Sequence, residues 1–175
     1  MTPQSGVVLL NLAKKYENLK KRKKKKKRKG QSMANVFHLA IPAGDLHNAI
    51  YFYCNVLGCT KGNSEIKPPD SWCDINFWGN ELTLHASTCA QTGERHNVDM
   101  GNVSVPHFGV HLGAEEFKAL KERIIQNNIK FIDEPYIRFE GEILEQETMF
   151  IEDPNGNVLE LKTMKNPESL FSNEI

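Results

Sequence analysis

Apolar residues first alternate along this chain at Phe37, Leu39 and Ile41, with His38 and Ala40 between them. A period of two predicts a strand over Asn35–Ile41. The spacing then changes to a helical one. Ala49, Ile50, Phe52, Tyr53, Val56 and Leu57 form a stripe behind Asp45, a residue suited to an N-cap, and Gly58 ends it. A short strand is expected at Cys59–Gly62 and a loop over Asn63–Ser71. A hairpin follows, from Trp72–Trp78 and Glu81–Ala86 across Gly79-Asn80. In its second arm Leu82 and Leu84 face one way, Thr83 and His85 the other. Ser87–Ser104 shows little periodicity and is too long for a tight turn, so it reads as a linker between modules or a lid. After it the pattern restarts. Val105–Leu112 predicts a strand with Phe108, Val110 and Leu112 on one face and His107, Gly109 and His111 on the other. Ala114–Asn128 predicts a helix, Lys130–Asp133 a short strand and Glu134–Gly141 a loop. Glu147–Lys162 predicts a closing hairpin. Its turn is Asp153-Pro154-Asn155-Gly156, where Pro presets one φ and Asn and Gly tolerate positive ones. In the return arm Leu159 and Leu161 share a face, and Val158, Glu160 and Lys162 share the other. Residues 166–175 read as a tail whose Leu170-Phe171 docks on the surface.

The order of elements over residues 35–86 is the order over residues 105–162, strand–helix–strand–strand–strand in each case. The first strands match in detail, Phe-His-Leu-Ala-Ile beside His-Phe-Gly-Val-His. This predicts an α+β fold of two paired βαβββ modules, 35–86 and 105–162, joined by a connector over 87–104 within a domain over 34–165. Each sheet has one face covered by its own helix, so the opposite faces are expected to close on each other as a metal-binding cleft. The residues facing it would be His38, Thr83, His85, His107, His111 and Glu160. A Glu in so apolar a strand must be solvated, paired or bound to a positive group. Imidazoles and a carboxylate converging on one point suit a divalent metal, and two His with one carboxylate leave open coordination positions, as in non-haem Fe(II) oxygenases. Taken singly, each His reads as a hydrogen-bonded strand residue. The matching positions of His38 and His107 favour the metal.

Charge separates the N-terminal end from the rest. Residues 1–34 carry a net charge of +11 and residues 35–175 one of −11. Lys20–Lys29 is an unbroken basic run, so residues 1–33 are expected to be a disordered tail, with at most a short helix at Val8–Leu19. The run is either a nuclear-import or anion-binding signal or a lysine-rich extension without a dedicated role. Only this tail offers contact with nucleic acid or an import receptor, because the body is acidic. Cys54, Cys59, Cys73 and Cys89 form no C-x-x-C pair and suit free thiols in the cytoplasm. No run of apolar residues is long enough for a membrane span.

The chain from Val36 to Lys162 resembles the vicinal oxygen chelate superfamily of glyoxalases, fosfomycin- and bleomycin-resistance proteins, epimerases and extradiol dioxygenases. The resemblance is carried by Phe37–Ile41, Phe52–Cys59, Pro106–Val110 and Asp153–Lys162. Pro135–Gly141 and Glu145–Phe150 are similar to a small group of extradiol-type dioxygenases. The resemblance implies one divalent metal between paired modules, Fe(II) first, with Mn, Zn or Ni as alternatives. It places His38, His107 and Glu160 at ligand positions. Isomerases of this family carry a fourth ligand, a Glu on the last strand of module one. Counting from the hairpin glycine, Gly156 leads to Glu160 as Gly79 leads to Thr83. His85 lies two further on and is a fourth ligand, an acid/base beside the metal, or neither. His85 or His111 would move protons, and Tyr136 and Arg138 would hold an anionic group of the substrate. The implied activity is ring-cleaving dioxygenation of a small catechol-like or vicinal-oxygen substrate. Its rivals are a glyoxalase-type isomerase or lyase and a non-enzymatic binder of the bleomycin-resistance type. A homodimer is compatible with each.

Overall fold

Asp45 caps the first helix as its residue type predicts. Its carboxylate accepts from the Asn48 backbone N–H at 2.8 Å. The helix α1 (Leu46–Tyr51) widens into a π-helical stretch over Phe52–Val56, where Leu57 N–H reaches the carbonyl of Phe52. The wider turn keeps Phe52, Tyr53 and Val56 all buried. The computed structural model describes residues 35–88, 95–98, 101–104 and 106–172. The expectations for residues 1–33 lie outside them, as does Cys89.

Around α1 stand β1 (His38–Pro42), β2 (Thr60–Glu65), β3 (Trp72–Phe77) and β4 (Asn80–His85), in the sheet order β1-β4-β3-β2. A separate two-stranded ribbon, β5 (Arg95–Val98) and β6 (Gly101–Ser104), follows. The connector therefore holds a ribbon of its own, and β6 lies against β8. The second module is β7 (Phe108–His111), α2 (Ala114–Gln126), β8 (Phe131–Arg138), β9 (Gln146–Glu152) and β10 (Val158–Met164), in the order β7-β10-β9-β8. The two sheets have the same topology, so the predicted α+β fold of paired βαβββ modules is the one observed. In both, the first strand pairs parallel with the last, β1 with β4 and β7 with β10. The backbone bonds that follow each first strand also correspond. Ala43 N–H donates to His85 O, and Leu112 N–H to Lys162 O, each at 2.8 Å.

Four local expectations are corrected. The first hairpin turns on Trp78-Gly79, one residue earlier than Gly79-Asn80, with both residues at positive φ and Phe77 paired to Asn80. A bulky Trp is unusual at positive φ. Here its indole N–H is held by Glu116 of α2 at 2.8 Å. The strand β2 runs past Gly62 to Glu65, with a register shift between Lys61 and Ser64. The strand β8 does not stop at Asp133 but runs to Arg138. Register shifts on either side of Asp133 absorb Pro135, which lacks an N–H, on what is the edge strand of its sheet. At the C-terminal end a short 3-10 turn, Pro167–Ser169, buries Ser169, but Leu170 and Phe171 are exposed and do not dock.

The roles of the two sheet faces are also reversed from the expectation. One contiguous core holds Ile41, Tyr53, Phe77, Leu82 and Leu84 of the first module together with Leu112, Phe117, Met149, Leu159 and Leu161 of the second. The helix-bearing faces are thus the ones that meet. A rim of polar bonds fixes the contact. Asn155 and Asn157 both donate from Nδ2 to the Pro42 carbonyl at 2.9 Å, and the buried Tyr53 hydroxyl donates to Asp153 Oδ2 at 3.0 Å.

Candidate functional site

Strand parity decides which residues share the helix-free face of the second sheet. Along β10, Val158, Glu160 and Lys162 lie opposite Glu152, Phe150 and Thr148 of β9. Along β8, Tyr136 and Arg138 lie opposite Thr148 and Gln146. On the other side, Gly109 and His111 of β7 lie opposite Glu160 and Lys162. Gly109 is required at its position. A Cβ there would come within bonding range of the Glu160 carbonyl oxygen, so only glycine lets β7 lie against this part of β10.

Glu160 is buried, with 5% of its surface exposed, and is surrounded by polar partners. Thr148 Oγ1 donates to Oε1 at 3.1 Å, and Lys162 Nζ lies 2.8 Å from Oε2. His107 Nε2 faces Oε2 at 3.4 Å, and Arg138 Nη1 is 3.7 Å from Oε1. Burial acts to raise the Glu160 pKa. The hydrogen bond and charge of Lys162, then Thr148 and His107, together outweigh it and hold the carboxyl below its ordinary value. The His107 ring stands edge-to-face on Phe150, with centroids 5.6 Å apart. Phe150 and Val158, with Ile132 and Tyr136 against them, make a small apolar floor beside the carboxylate. His111 is exposed, and desolvation followed by the neighbouring Lys162 lowers its pKa, against an opposing pull from Glu160.

The corresponding face of the first sheet is arranged differently. His38 Nδ1 pairs with Glu81 Oε2 at 2.9 Å, and both side chains are about half exposed. Thr83 is buried and donates to Asp74 Oδ1 at 2.8 Å. His85 is exposed, opposite Pro42 on one side and Trp72 on the other. Register gives the correspondence between modules. Ala40 is paired with Thr83 as Gly109 is with Glu160, and Pro42 with His85 as His111 is with Lys162. The position matching Glu160 is therefore held by Thr83, and that matching Lys162 by His85. Of the residues expected to share a metal, the structure brings together His107 and Glu160. It sets His38 against Glu81 instead, and among the described residues no three His, Cys, Asp or Glu side chains converge on one point.

A family model for the glyoxalase/bleomycin resistance protein/dioxygenase superfamily matches residues 35–161. The chain belongs to this superfamily. A comparison with curated proteins gives no match. Among solved structures, a glyoxalase/bleomycin resistance protein/dioxygenase from Alicyclobacillus acidocaldarius is 34% identical with a TM-score of 0.63, over 81% of this chain and 100% of that one. A fosfomycin resistance protein, FosX, from Listeria monocytogenes is 15% identical with a TM-score of 0.59, over 78% of this chain and 98% of that one. A mutant of the same Listeria protein, solved with Mn(II) and 1S,2S-dihydroxypropylphosphonic acid, is also 15% identical, with a TM-score of 0.60, over 78% of this chain and 97% of that one. Enzymes that use a divalent metal occur in this superfamily.

Sequence reasoning put Lys162 on the face of Glu160 without giving it a role, and gave none to Thr148 and Gln146, which the register places on the same face. Parity brought Lys162 to that face, two residues beyond Glu160 on one strand, but not its contact with the carboxylate.

Proposed function

We propose that this member of the superfamily is a metal-dependent enzyme, an extradiol-type dioxygenase that cleaves the ring of a small substrate with vicinal oxygen atoms. The observation that carries the reading is Thr83. Matched registers put a hydroxyl, already bonded to Asp74, where Glu160 stands in the other module. A three-donor set of two His and one carboxylate leaves open positions for two reactants, whereas a fourth carboxylate would suit an isomerase. The donors present fit a divalent ion. His107 Nε2 and Glu160 Oε2 face each other at 3.4 Å. That is close to the ~3.0 Å between adjacent donors that each lie ~2.1 Å from one ion. His38 supplies the third donor, and because one chain holds it apart from Glu160, it comes from a second copy of the chain. The metal, Fe(II) in this reading, would lower the pKa of a bound phenol and bring the reactants together. His111, whose pKa is lowered by desolvation and by Lys162, is a neutral base on the same face, and Tyr136 and Arg138 stand on β8 at the far edge of that face, where they would hold an anionic group of the substrate. His85 takes no part as a ligand, and a role as acid/base for it would act from the His38 side.

The test is anaerobic reconstitution with Fe(II), then oxygen uptake across a panel of catechols. Uptake matched mole for mole by ring-cleaved product supports the proposal. A second reading, isomerisation or addition on an anionic substrate, is favoured by the cations Lys162 and Arg138 beside Glu160. Turnover without oxygen, in the Mn(II)-loaded protein, would select it instead.

A further inference from the structure

His38 and Glu81 stand side by side on the parallel strands β1 and β4. The Glu81 backbone N–H donates to the Phe37 carbonyl at 2.9 Å, which fixes the register immediately before His38. The side chains meet in turn, with His38 Nδ1 2.9 Å from Glu81 Oε2. An ionised carboxylate only accepts, so the Nδ1 atom carries the proton. In the neutral ring the free lone pair is then on Nε2. Neutral imidazole in water favours the opposite form, with the proton on Nε2, so the pairing selects the minority tautomer. With 55% and 49% of the two side chains exposed, the pair adds little to stability. What it decides is which nitrogen of His38 is left to bind.

The second module reaches the same result by other means. His107 turns Nε2 toward Glu160 Oε2. Carried one residue back, the register of β7 and β10 sets Val158 beside His107, where Glu81 stands beside His38. The His107 ring rests edge-on against Phe150 instead. One histidine is thus oriented by a carboxylate and the other by an aromatic face. Histidines that ligate metals commonly donate their second N–H to a carboxylate, which fixes the ring and makes it a stronger donor. On the metal reading given above, in which His38 is the third donor, we propose that Glu81 is a positioning residue for the metal. It holds His38 as the Nδ1–H tautomer, so that Nε2 is ready to complete the site that His107 and Glu160 form in a second copy.

The experiment uses the full chain, first without metal and then with Mn(II) as the probe. In isotope-labelled, metal-free protein, long-range proton–nitrogen NMR spectra recorded above the ordinary imidazole range distinguish the two tautomers. His38→Ala identifies the His38 signals. Wild-type His38 should be chiefly the Nδ1–H form, and Glu81→Ala should return it to Nε2–H. Calorimetry should show Glu81→Ala binding Mn(II) about 10–100-fold more weakly, with its melting temperature unchanged. Glu81→Gln, whose amide oxygen still accepts from Nδ1, should keep the tautomer and more of the affinity than Glu81→Ala. The positioning role is overturned, and the metal reading stands, on any of four results: wild-type His38 is chiefly Nε2–H, Glu81→Ala binds Mn(II) as wild type does, Glu81→Gln is no better than Glu81→Ala, or affinity falls only together with melting temperature. If wild type binds no Mn(II), or His38→Ala binds it equally well, the metal reading is overturned and the role of Glu81 with it.

Discussion

Asp153 joins the closing turn of the second module to the first module. Its carboxylate accepts four hydrogen bonds, from the backbone N–H groups of Asn155 and Asn157, from Asn157 Nδ2 and from the Tyr53 hydroxyl. Burial, and then the Asp153 charge, push the Tyr53 pKa well above its ordinary value, so the phenol stays a donor throughout the working range of the protein. Asp153→Ala leaves these donors unpaired and should cost about 3 kcal/mol, a fall in melting temperature of roughly 6–12 °C. A calorimetric scan of the variant checks it, and an unchanged melting temperature would show that the turn is not a clasp. Cys59 offers a second test at this scale. Burial, with Cys54 adding to it, pushes its thiol up to about 12. At pH 8 it should alkylate on the order of 10³-fold more slowly than an ordinary thiol, as read by mass-spectrometric mapping of iodoacetamide labelling.

At the scale of elements, the loop between β8 and β9 is held by charge. Glu145 accepts from the Gly141 backbone N–H at 2.8 Å and pairs with Lys165 at 3.0 Å. That backbone bond, then the bond to Lys165, lowers the Glu145 pKa. A carboxyl depressed on folding contributes stability above its unfolded pKa and loses it as pH falls through the folded one. Wild type should therefore lose more stability than Glu145→Gln as pH drops through and below the ordinary glutamate range, and parallel acid limbs in chemical denaturation would contradict this. The same region shows what the sequence could and could not reveal. Alternation located β1, β4, β7 and β10 because each has one apolar face, and glycine spacing identified Thr83 as the counterpart of Glu160. The strand β8 was not legible. Pro135 reads as a loop signal, and only the bulges next to it let pairing resume, which carries Tyr136 and Arg138 onto the face of Glu160. Nor could periodicity say which faces of two similar sheets would meet, since that depends on the apolar area of the helices and on the Asn155 and Asn157 bonds to Pro42.

For the whole molecule, the separation of His38 from Glu160 has a measurable result. If each metal site draws His38 from one copy and His107 and Glu160 from another, His38→Ala and Glu160→Gln should each abolish metal binding alone. Mixed in equal amounts and refolded together, they should recover about a quarter of the wild-type sites, because half the dimers are mixed and each has one intact site. No recovery would place all the ligands of a site in one chain. The shared core also bears on how the chain is made. Tyr53 meets its partner Asp153 across 100 positions, and the apolar core that the first module shares includes residues as late as Leu159 and Leu161. A ribosome adding 5–20 residues per second needs roughly 4–16 s to pass from the end of β4 to the end of β10. Throughout that interval the first module emerges with α1 as the only cover on its inner face, so the half of the protein synthesised first is the half that waits, and the apolar surface that the second module will cover is then open to a chaperone.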